Sequence, residues 1–491
     1  MNSASRPLPL ASRRALFFLL PPLSVLLYLG LSYASGFIGF PLDDAWIHQT
    51  YARNLARLHQ LAFIPGQPSA GSTSPLWTTL LTLGYLLHID YHLWTYTLGA
   101  VLLGFNAWLA YRLTLTLWPG HPLAALLAGV FVALEWHLAW AAASGMETLL
   151  FSALALSVFV IAPERAVWIG LCVGASLLAR PDGLTLLPFA LARIFFSRPR
   201  DRRNLLAGLL GFGVVVLPYL AFNQWLAGSV WPNTYYAKAA EYALQRQAPL
   251  STRMIQLGQL PFVGAQALLG PGIVWAAWRS SQARQWEAFL PIGWAITFIA
   301  AYIVRLPVTY QHGRYLMPVI PALVAAGAGG TAQWLNLHTP KPWLRILSRV
   351  WLAATGVLVI AFWLNGALAY MRDVRIIETE MVATARWINQ NTPADALVAA
   401  HDIGALGYFG ERRLLDMAGL ASPEVVPFIR DEDRLRDWLT ASGAEYLVTF
   451  PDWYPGLVRP LGPPIYSTHA PYSPQAGGEN MAVYRWPIAR P

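Results

Sequence analysis

Apolar stretches long enough to cross a bilayer recur from residue 15 to about residue 370. A crossing helix needs about 20 residues, and only helices and closed barrels satisfy every backbone N–H and C=O in lipid. The fold class that follows is an α-helical polytopic membrane protein. Composition agrees, since 56 % of the 491 residues are hydrophobic and 12 % charged, against about 25 % charged in soluble domains.

The net charge of +9 and the pI near 9.6 do not call for nucleic acid. The basic residues cluster in short loops between apolar runs, where the positive-inside rule accounts for them. Cys172, the sole cysteine, lies in an apolar run, so no disulfide framework or cysteine metal site is available. Arg6, Arg13 and Arg14 precede the first apolar run, and "YAS" at 33–35 resembles a cleavage site. The run is long for a signal peptide and reads as an uncleaved first span.

The basic N-terminus puts residue 1 in the cytoplasm and sends the first span, about 16–39, outward. "SPLWTTLLTLGYLL" (74–87) is short for a span and reads as a helix in the outer interface. Later spans then fall near 92–117, 122–142, 147–163, 166–180, 183–197, 205–227, 255–278, 287–306, 315–336 and 349–370, about eleven in all. That threading keeps Arg112, Arg165, "RIFFSRPRDRR" (193–203), Arg279, Arg284, Lys341, Arg345 and Arg349 inside. It leaves "SGMET" (144–148), "ARPDG" (179–183), "PNTYYAK" (232–238), "TYQHGRY" (309–315) and the C-terminus outside. A crossing at 74–87 would put the 193–203 cluster outside, against the rule.

Composition changes near residue 375. "ALVAAHDIGALGYFG", "RRLLDMAGL" and "AEYLVTF" are strand-like, and "DEDRLRDWLT" is helix-compatible. We therefore divide the chain into a transmembrane domain, 1–374, with a first outer loop at 40–91, and a small α/β extracytoplasmic domain, 375–491. No internal repeat is visible, which counts against a secondary transporter built from two related halves.

Asp43 and Asp44 stand where the first span ends. Ile47, Tyr51, Leu55 and Leu58 share a helical face while His48, Gln49, Arg53 and Asn54 lie elsewhere, a pattern suited to a helix lying along the interface. One carboxylate could cap that helix, for about 1 kcal/mol. An adjacent pair incurs like-charge repulsion unless a cation or a substrate proton relieves it. Arg180, Lys238 and Arg314 lie at outer boundaries, where the positive-inside rule makes cations less expected, with His312, Tyr235 and Tyr236 nearby. Each cation has a bland reading; together they suit a phosphate-binding rim. Glu147 either favours a helix N-terminus or is a second acidic group facing the same cavity. His48, Trp46, Trp77 and Trp231 are placed to contact a sugar or an acceptor. Asp402 reads as a helix cap, and His401 alone is no metal site.

"PLDDAWIHQTYARNLA", "STSPLWTTLL", "SGMETLLFSALAL", "LARPDGLTLLP", "WPNTYYAK" and "GRYLMPVIPAL" occur in the order found in bacterial GT-C glycosyltransferases. The chain resembles the mycobacterial-type terminal arabinofuranosyltransferases of cell-wall synthesis and, more distantly, protein mannosyltransferases and the aminoarabinose transferase of lipid A. One departure is "GSTSPLW" (71–77), where relatives often carry a "VEGYTSPLW"-like run with an extra acidic residue.

The resemblance implies an inverting transferase (EC 2.4 class) at the bacterial cytoplasmic membrane. It would move a pentofuranose or hexose from a polyprenyl-phosphate donor to a hydroxyl of a cell-envelope glycan, lipid or protein on the outer face. The family's acidic motif maps onto Asp43 and Asp44, and its second acidic position onto Glu147. Asp44 is expected to take the acceptor proton, and Asp43 to orient the acceptor, cap the helix or share a Mg²⁺ or Mn²⁺ ion. Arg180, Arg314 and Lys238 would stabilise the leaving phosphate. A lipid-linked sugar flippase, an oligosaccharide ligase and a non-catalytic scaffold are the rival readings.

Overall fold

The computed structural model describes residues 10–197, 202–337 and 342–487. Arg6, Lys341 and residues 198–201 of the basic cluster lie outside the described residues. Helix α1 (Leu10–Ala34) is followed by α2 (Asp43–Leu58), the hairpin β1 (Ala62–Ile64) and β2 (Gln67–Pro68), α3 (Pro75–Leu86) and α4 (Tyr91–Leu117). Next come α5 (Pro122–Leu134), α6 (Trp136–Ala143), α7 (Thr148–Val160), α8 (Ala166–Ala179), α9 (Leu187–Phe196) and α10 (Arg202–Ala227). The bundle is completed by α11 (Asn233–Glu241), α12 (Leu250–Gly258), α13 (Gly270–Gln282) and α14 (Trp286–Arg305). After the turn α15 (Tyr310–Gly313) run α16 (Ile320–Leu337) and α17 (Pro342–Ile377).

Among the described residues, six helices are each long and apolar enough to cross a membrane, or up to eight with two bent pairs; α7 and α8 are shorter apolar helices. Except at 183–197, where the ten-residue α9 stands, the expected span positions hold these helices, and the chain is a multi-pass membrane protein. Leu206, Leu209, Val214 and Leu217 of α10 and Val350, Val357 and Ile360 of α17 are exposed, as lipid-facing side chains are. Lipid offers helices no hydrophobic drive to associate, so close backbone approach through small residues takes over. The α8–α10 contact works this way: a Cβ on Gly170 would lie 2.0 Å from the Gly208 carbonyl oxygen.

Helix α17 passes through one π-helical turn (Glu378–Val382) into α18 (Ala383–Asn391), so residue 375 lies within a continuous helical run. A five-stranded sheet follows, made of β3 (Leu397–Ala400), β4 (Arg413–Asp416), β5 (Tyr446–Thr449), β6 (Tyr466–Ser467) and β7 (Ala482–Arg485). The strand order is β4-β3-β5-β7-β6; β3 is parallel to β4 and β5, and the β5–β7 and β7–β6 pairs are antiparallel. Parallel strands are covered on both faces. Here Ala399 and Leu447 pack against Leu435 and Leu439 of α19 (Glu432–Ala441), while Val398, Ala400 and Val448 join the core that continues into the bundle.

The polar face of α2, which suits a helix lying along the interface, does not face water. Its polar residues are buried in protein: Gln49 donates to Thr95 and accepts from Tyr85, and Asn54 donates to the carbonyls of Ala62 and Phe63. Arg53 donates to the carbonyls of Gly407 and Tyr408, and Trp46 packs on Phe409 with ring centroids 4.7 Å apart. The face that reads as water-seeking is a joint to the sheet region.

Asp43 makes the same joint. It does not cap its own helix, whose N-cap Leu42 has no side-chain bond. Its carboxylate accepts the backbone N–H groups of Gly404 (2.7 Å) and Ala405 (2.8 Å), opening the helical turn after β3. The cap expected of Asp402 is therefore supplied by Asp43. A Cβ on Gly404 would meet the Asp43 carbonyl oxygen at 2.1 Å, so the turn needs glycine there. Leaving one buried donor unpaired costs about 1–3 kcal/mol. We expect Asp43→Ala and Gly404→Ala each to lower the unfolding midpoint in detergent and to speed proteolysis of the sheet region. Because both break one joint, the double variant should lose clearly less than the sum of the singles.

Candidate active site

The ends of several bundle helices meet above α2. Pro181 stops α8 at Arg180, Glu147 stands before α7, Lys238 lies on α11, and Tyr302 and Arg305 end α14. Arg314 follows three residues in the left-handed region, Gln311 (φ 54°), His312 (φ 58°) and Gly313 (φ 67°). Two non-glycine residues there cost of order 1–3 kcal/mol each, so neighbours must hold the turn. They do: the His312 ring lies 2.7 Å from an Asp373 carboxylate oxygen and edge-on to Trp136 and Trp140. The turn delivers Arg314 to Asp44, whose Oδ2 accepts from its Nη2.

Asp43 and Asp44 therefore point to different partners. The Asp43 side chain is buried against backbone, whereas that of Asp44 is 33 % exposed. Burial would raise Asp44, but Arg314 and Lys238 outweigh it and hold the carboxyl well below the usual carboxylate range. Burial and then Asp402 push Asp43 upward, against its two backbone bonds.

A second network lies beside the first. Arg180 donates to Asp182 at 2.9 and 3.1 Å, to the Tyr302 hydroxyl at 2.7 Å and to Glu147 at 3.4 Å. Glu147 also faces His48 at 3.3 Å. The two networks share Tyr315. Its hydroxyl accepts from Lys238 (3.0 Å) and Arg314 (3.1 Å), and Arg314, Lys238 and Arg180 lie 4.9, 5.2 and 5.3 Å from its ring centroid. Cations within about 6 Å of an aromatic face are attracted to it, which lets three of them share this small volume.

Two cavities flank the Asp44–Arg314 pair. The first, about 290 Å³, is lined by the cations Arg180, Lys238, Arg305 and Arg314, the carboxylates Asp44, Glu147 and Asp182, and apolar residues including Phe298. The second, about 570 Å³, opens on the sheet side of Asp44. Both are lined by Asp44, Ile47, Lys238, Arg314, Tyr315 and Leu420. Nε and Nη1 of Arg314 and Oγ1 of Thr234 are buried with no protein partner, and both residues line the first cavity. Such groups are costly unless something accepts from them.

Of the residues expected here, Asp44, Glu147, Arg180, Lys238, Arg314, His48, Tyr235 and Trp231 line the first cavity together. Four others do not. His312 braces the turn that carries Arg314. Tyr236 is 40 % exposed and lines neither cavity. Trp77 is buried and donates to the Gly145 carbonyl, and Trp46 is buried in the aromatic joint with Tyr408 and Phe409. Arg305, Tyr302 and Tyr315 are additional lining residues; Tyr315 was visible within "GRYLMP", but nothing local signals its three cations.

A divalent ion suits this donor set poorly. Both Asp43 oxygens are taken by backbone N–H groups and one Asp44 oxygen by Arg314. Among the described residues no three His, Cys, Asp or Glu side chains are grouped to hold a metal.

A family model described as a domain of unknown function, DUF8728, matches residues 373–484. No curated protein sequence matches the chain. The structure is similar to ArnT from Cupriavidus metallidurans bound to undecaprenyl phosphate, with TM-score 0.60 and 15 % identity over 98 % of this chain and 99 % of that one. It is also similar to the oligosaccharyltransferase of Archaeoglobus fulgidus in the apo form, with TM-score 0.60 and 13 % identity over 90 % of this chain and 70 % of that one. The chain has the fold of the GT-C membrane glycosyltransferases.

Burial raises Glu147, but His48 and Arg180 prevail and hold it at about 2, below its ordinary 4.5. A carboxyl lowered in this way stabilises the fold above pH 4.5 and loses that contribution as pH falls toward 2. We therefore expect the unfolding midpoint of the full chain to fall on acidification across that range. Glu147→Gln should lower the midpoint at pH 7 and flatten the acid slope, read by thermal unfolding at several pH values.

Proposed function

We propose that this chain transfers a sugar, a pentofuranose or a hexose, from a polyprenyl-phosphate donor to a hydroxyl acceptor on the outer face of the bacterial cytoplasmic membrane, with inversion. The observation that carries this reading is the Asp44–Arg314 pair in the wall common to the two cavities. A carboxylate there can face an acceptor from one side and an anomeric carbon from the other. The likeness to an ArnT structure that holds undecaprenyl phosphate supports the donor class.

In this mechanism the donor phosphate sits in the first cavity. The unpartnered N–H groups of Arg314 donate to it, and Arg180 and Lys238 add positive charge. Apolar residues such as Phe298, Leu306 and Leu184 receive the start of the prenyl chain. The acceptor oxygen bonds to the anomeric carbon as the bond from that carbon to the phosphate oxygen breaks. The bonding pair leaves on the phosphate, and the hydroxyl proton passes to Asp44. Charge growing on the leaving phosphate meets cations already in place, the arrangement that most lowers such barriers.

Arg314 holds two roles in tension. Paired with Asp44, it keeps that carboxylate weakly basic. A phosphate drawing Arg314 toward itself weakens that pair and makes Asp44 a stronger base, so base strength rises once the donor is bound.

The test incubates the purified full chain with polyprenyl-phosphate sugars and candidate acceptors and scores transfer. Asp44→Asn should lower turnover by about 10²–10⁴-fold, the usual contribution of a positioned base, while still binding undecaprenyl phosphate. EDTA should leave the wild-type rate unchanged. Full activity in Asp44→Asn, or passage of the donor across a bilayer with no transfer, would overturn the reading.

A further inference from the structure

The second cavity holds what an acceptor would need, and its walls specify a chemistry. It is lined by Asp44 at one end and, on the sheet side, by Asp402 after β3, His401, Asp452, Trp453 and Tyr454. Asp402 is tied to Asp44 through the main chain: Asp43, next to Asp44, grips Gly404 and Ala405, two and three residues beyond Asp402.

The carboxylates of this wall are not alike. Glu241 is engaged by His401 at 3.3 Å, Glu432 accepts the Leu457 N–H at 2.8 Å, and Asp44 holds Arg314. The side chains of Asp402 and Asp452 have no hydrogen bond or ion pair within the described residues, although Asp402 is half-buried. Asp452 is exposed and open to water, whereas half-buried Asp402 calls for an O–H or N–H donor, since an ionised carboxylate only accepts. Arg314, 6 % exposed, lines this cavity too, and its pair with Asp44 forms the inner end, while its free N–H groups are those given to the donor phosphate.

Trp453 supplies the second part of the pattern. It is 46 % exposed. The His401 ring meets it edge-on at 5.3 Å, and Phe450 lies 5.1 Å away. His401 is itself fixed by the Tyr454 hydroxyl at 2.7 Å and by Glu241. The indole is thus held in place by neighbours that do not cover it. A rigid aromatic plate beside free carboxylates fits a ring that offers C–H groups on its face and hydroxyls at its edge. The lining also holds Lys238, Arg314 and Arg430, but Arg314 is engaged by Asp44 and Tyr315, Lys238 by Tyr315 and Arg430 by the Glu241 carbonyl. Acidic groups on a ring stacked at Trp453 would therefore meet Asp402 and Asp452, and like charges brought together across a site are disfavoured.

We infer that this cavity is the acceptor site and that it takes a saccharide without acidic groups, stacked on Trp453 and hydrogen-bonded through its hydroxyls to Asp402. The inference rests on the glycosyl-transfer reading and narrows its acceptor from any cell-envelope glycan, lipid or protein to a sugar chain of this kind. Asp402 binds and orients the acceptor; Asp44 takes its proton.

The test measures binding of linear hexasaccharides to the purified full chain: neutral ones (arabino-, manno- and gluco-), the cationic glucosamine hexamer and the anionic galacturonate hexamer. Undecaprenyl phosphate binding is measured in parallel. At least one neutral or cationic hexamer should bind, and the anionic one should not. Trp453→Ala and Asp402→Asn should weaken that binding by about tenfold or more, as loss of an aromatic anchor does. Trp453→Phe should recover part of it, and all three variants should keep the wild-type unfolding midpoint and undecaprenyl phosphate affinity. Binding of the anionic hexamer alone, no hexamer binding, or unchanged affinity in both Trp453→Ala and Asp402→Asn would overturn the inference. Loss of undecaprenyl phosphate binding in the wild type would instead sink the donor reading, leaving saccharide binding to stand separately.

Discussion

Two neighbouring carboxylates leave one helix end in different directions, and the rest of the molecule is arranged around that divergence. Like charges on adjacent residues repel, and neither side chain can be left bare in a protein interior. Here each is satisfied by a different part of the chain. Asp43 is held by two backbone N–H groups at the start of the turn after β3, which fastens the sheet region to the bundle. Asp44 is held by a guanidinium carried on a left-handed turn, which fastens the end of the bundle helices to the same point. Asp44 lines both cavities and Asp43 the second, so the second depends on each of them.

Electrostatics then sets the character of the two sides. Toward the lipid-facing helices, Arg180, Lys238 and Arg314 crowd around the Tyr315 ring, with Asp182 and Glu147 preventing full self-repulsion. Toward the sheet, carboxylates and aromatic rings predominate. Arg314 belongs to both, which is why its unmatched N–H groups matter more than those of any surface arginine.

The spans were legible because lipid leaves helices little choice of composition, and the strand-like runs "ALVAAHDIGALGYFG", "RRLLDMAGL" and "AEYLVTF" contain β3, β4 and β5. The carboxylates at 43, 44 and 147 and the cations at 180, 238 and 314 were legible as residue types at loop ends. Their partners were not. His312 looks like a phosphate ligand from its loop, but the positive φ at Gln311 and His312 turns its ring toward Asp373. The polar stripe of α2 suits water as well as it suits a buried joint, and periodicity cannot separate the two. Trp453 lies some four hundred residues from Asp44, so only the fold brings them to one cavity.

The matched family segment, 373–484, contains most of the sheet-side wall of the second cavity and, of the first cavity's lining, Leu420 alone. The two halves of the site are therefore written in separable stretches of the gene. Substitution or recombination within the C-terminal stretch can remodel one cavity while the residues around the cation cluster stay untouched. A chain built this way can acquire a new preference on one side without relearning the other.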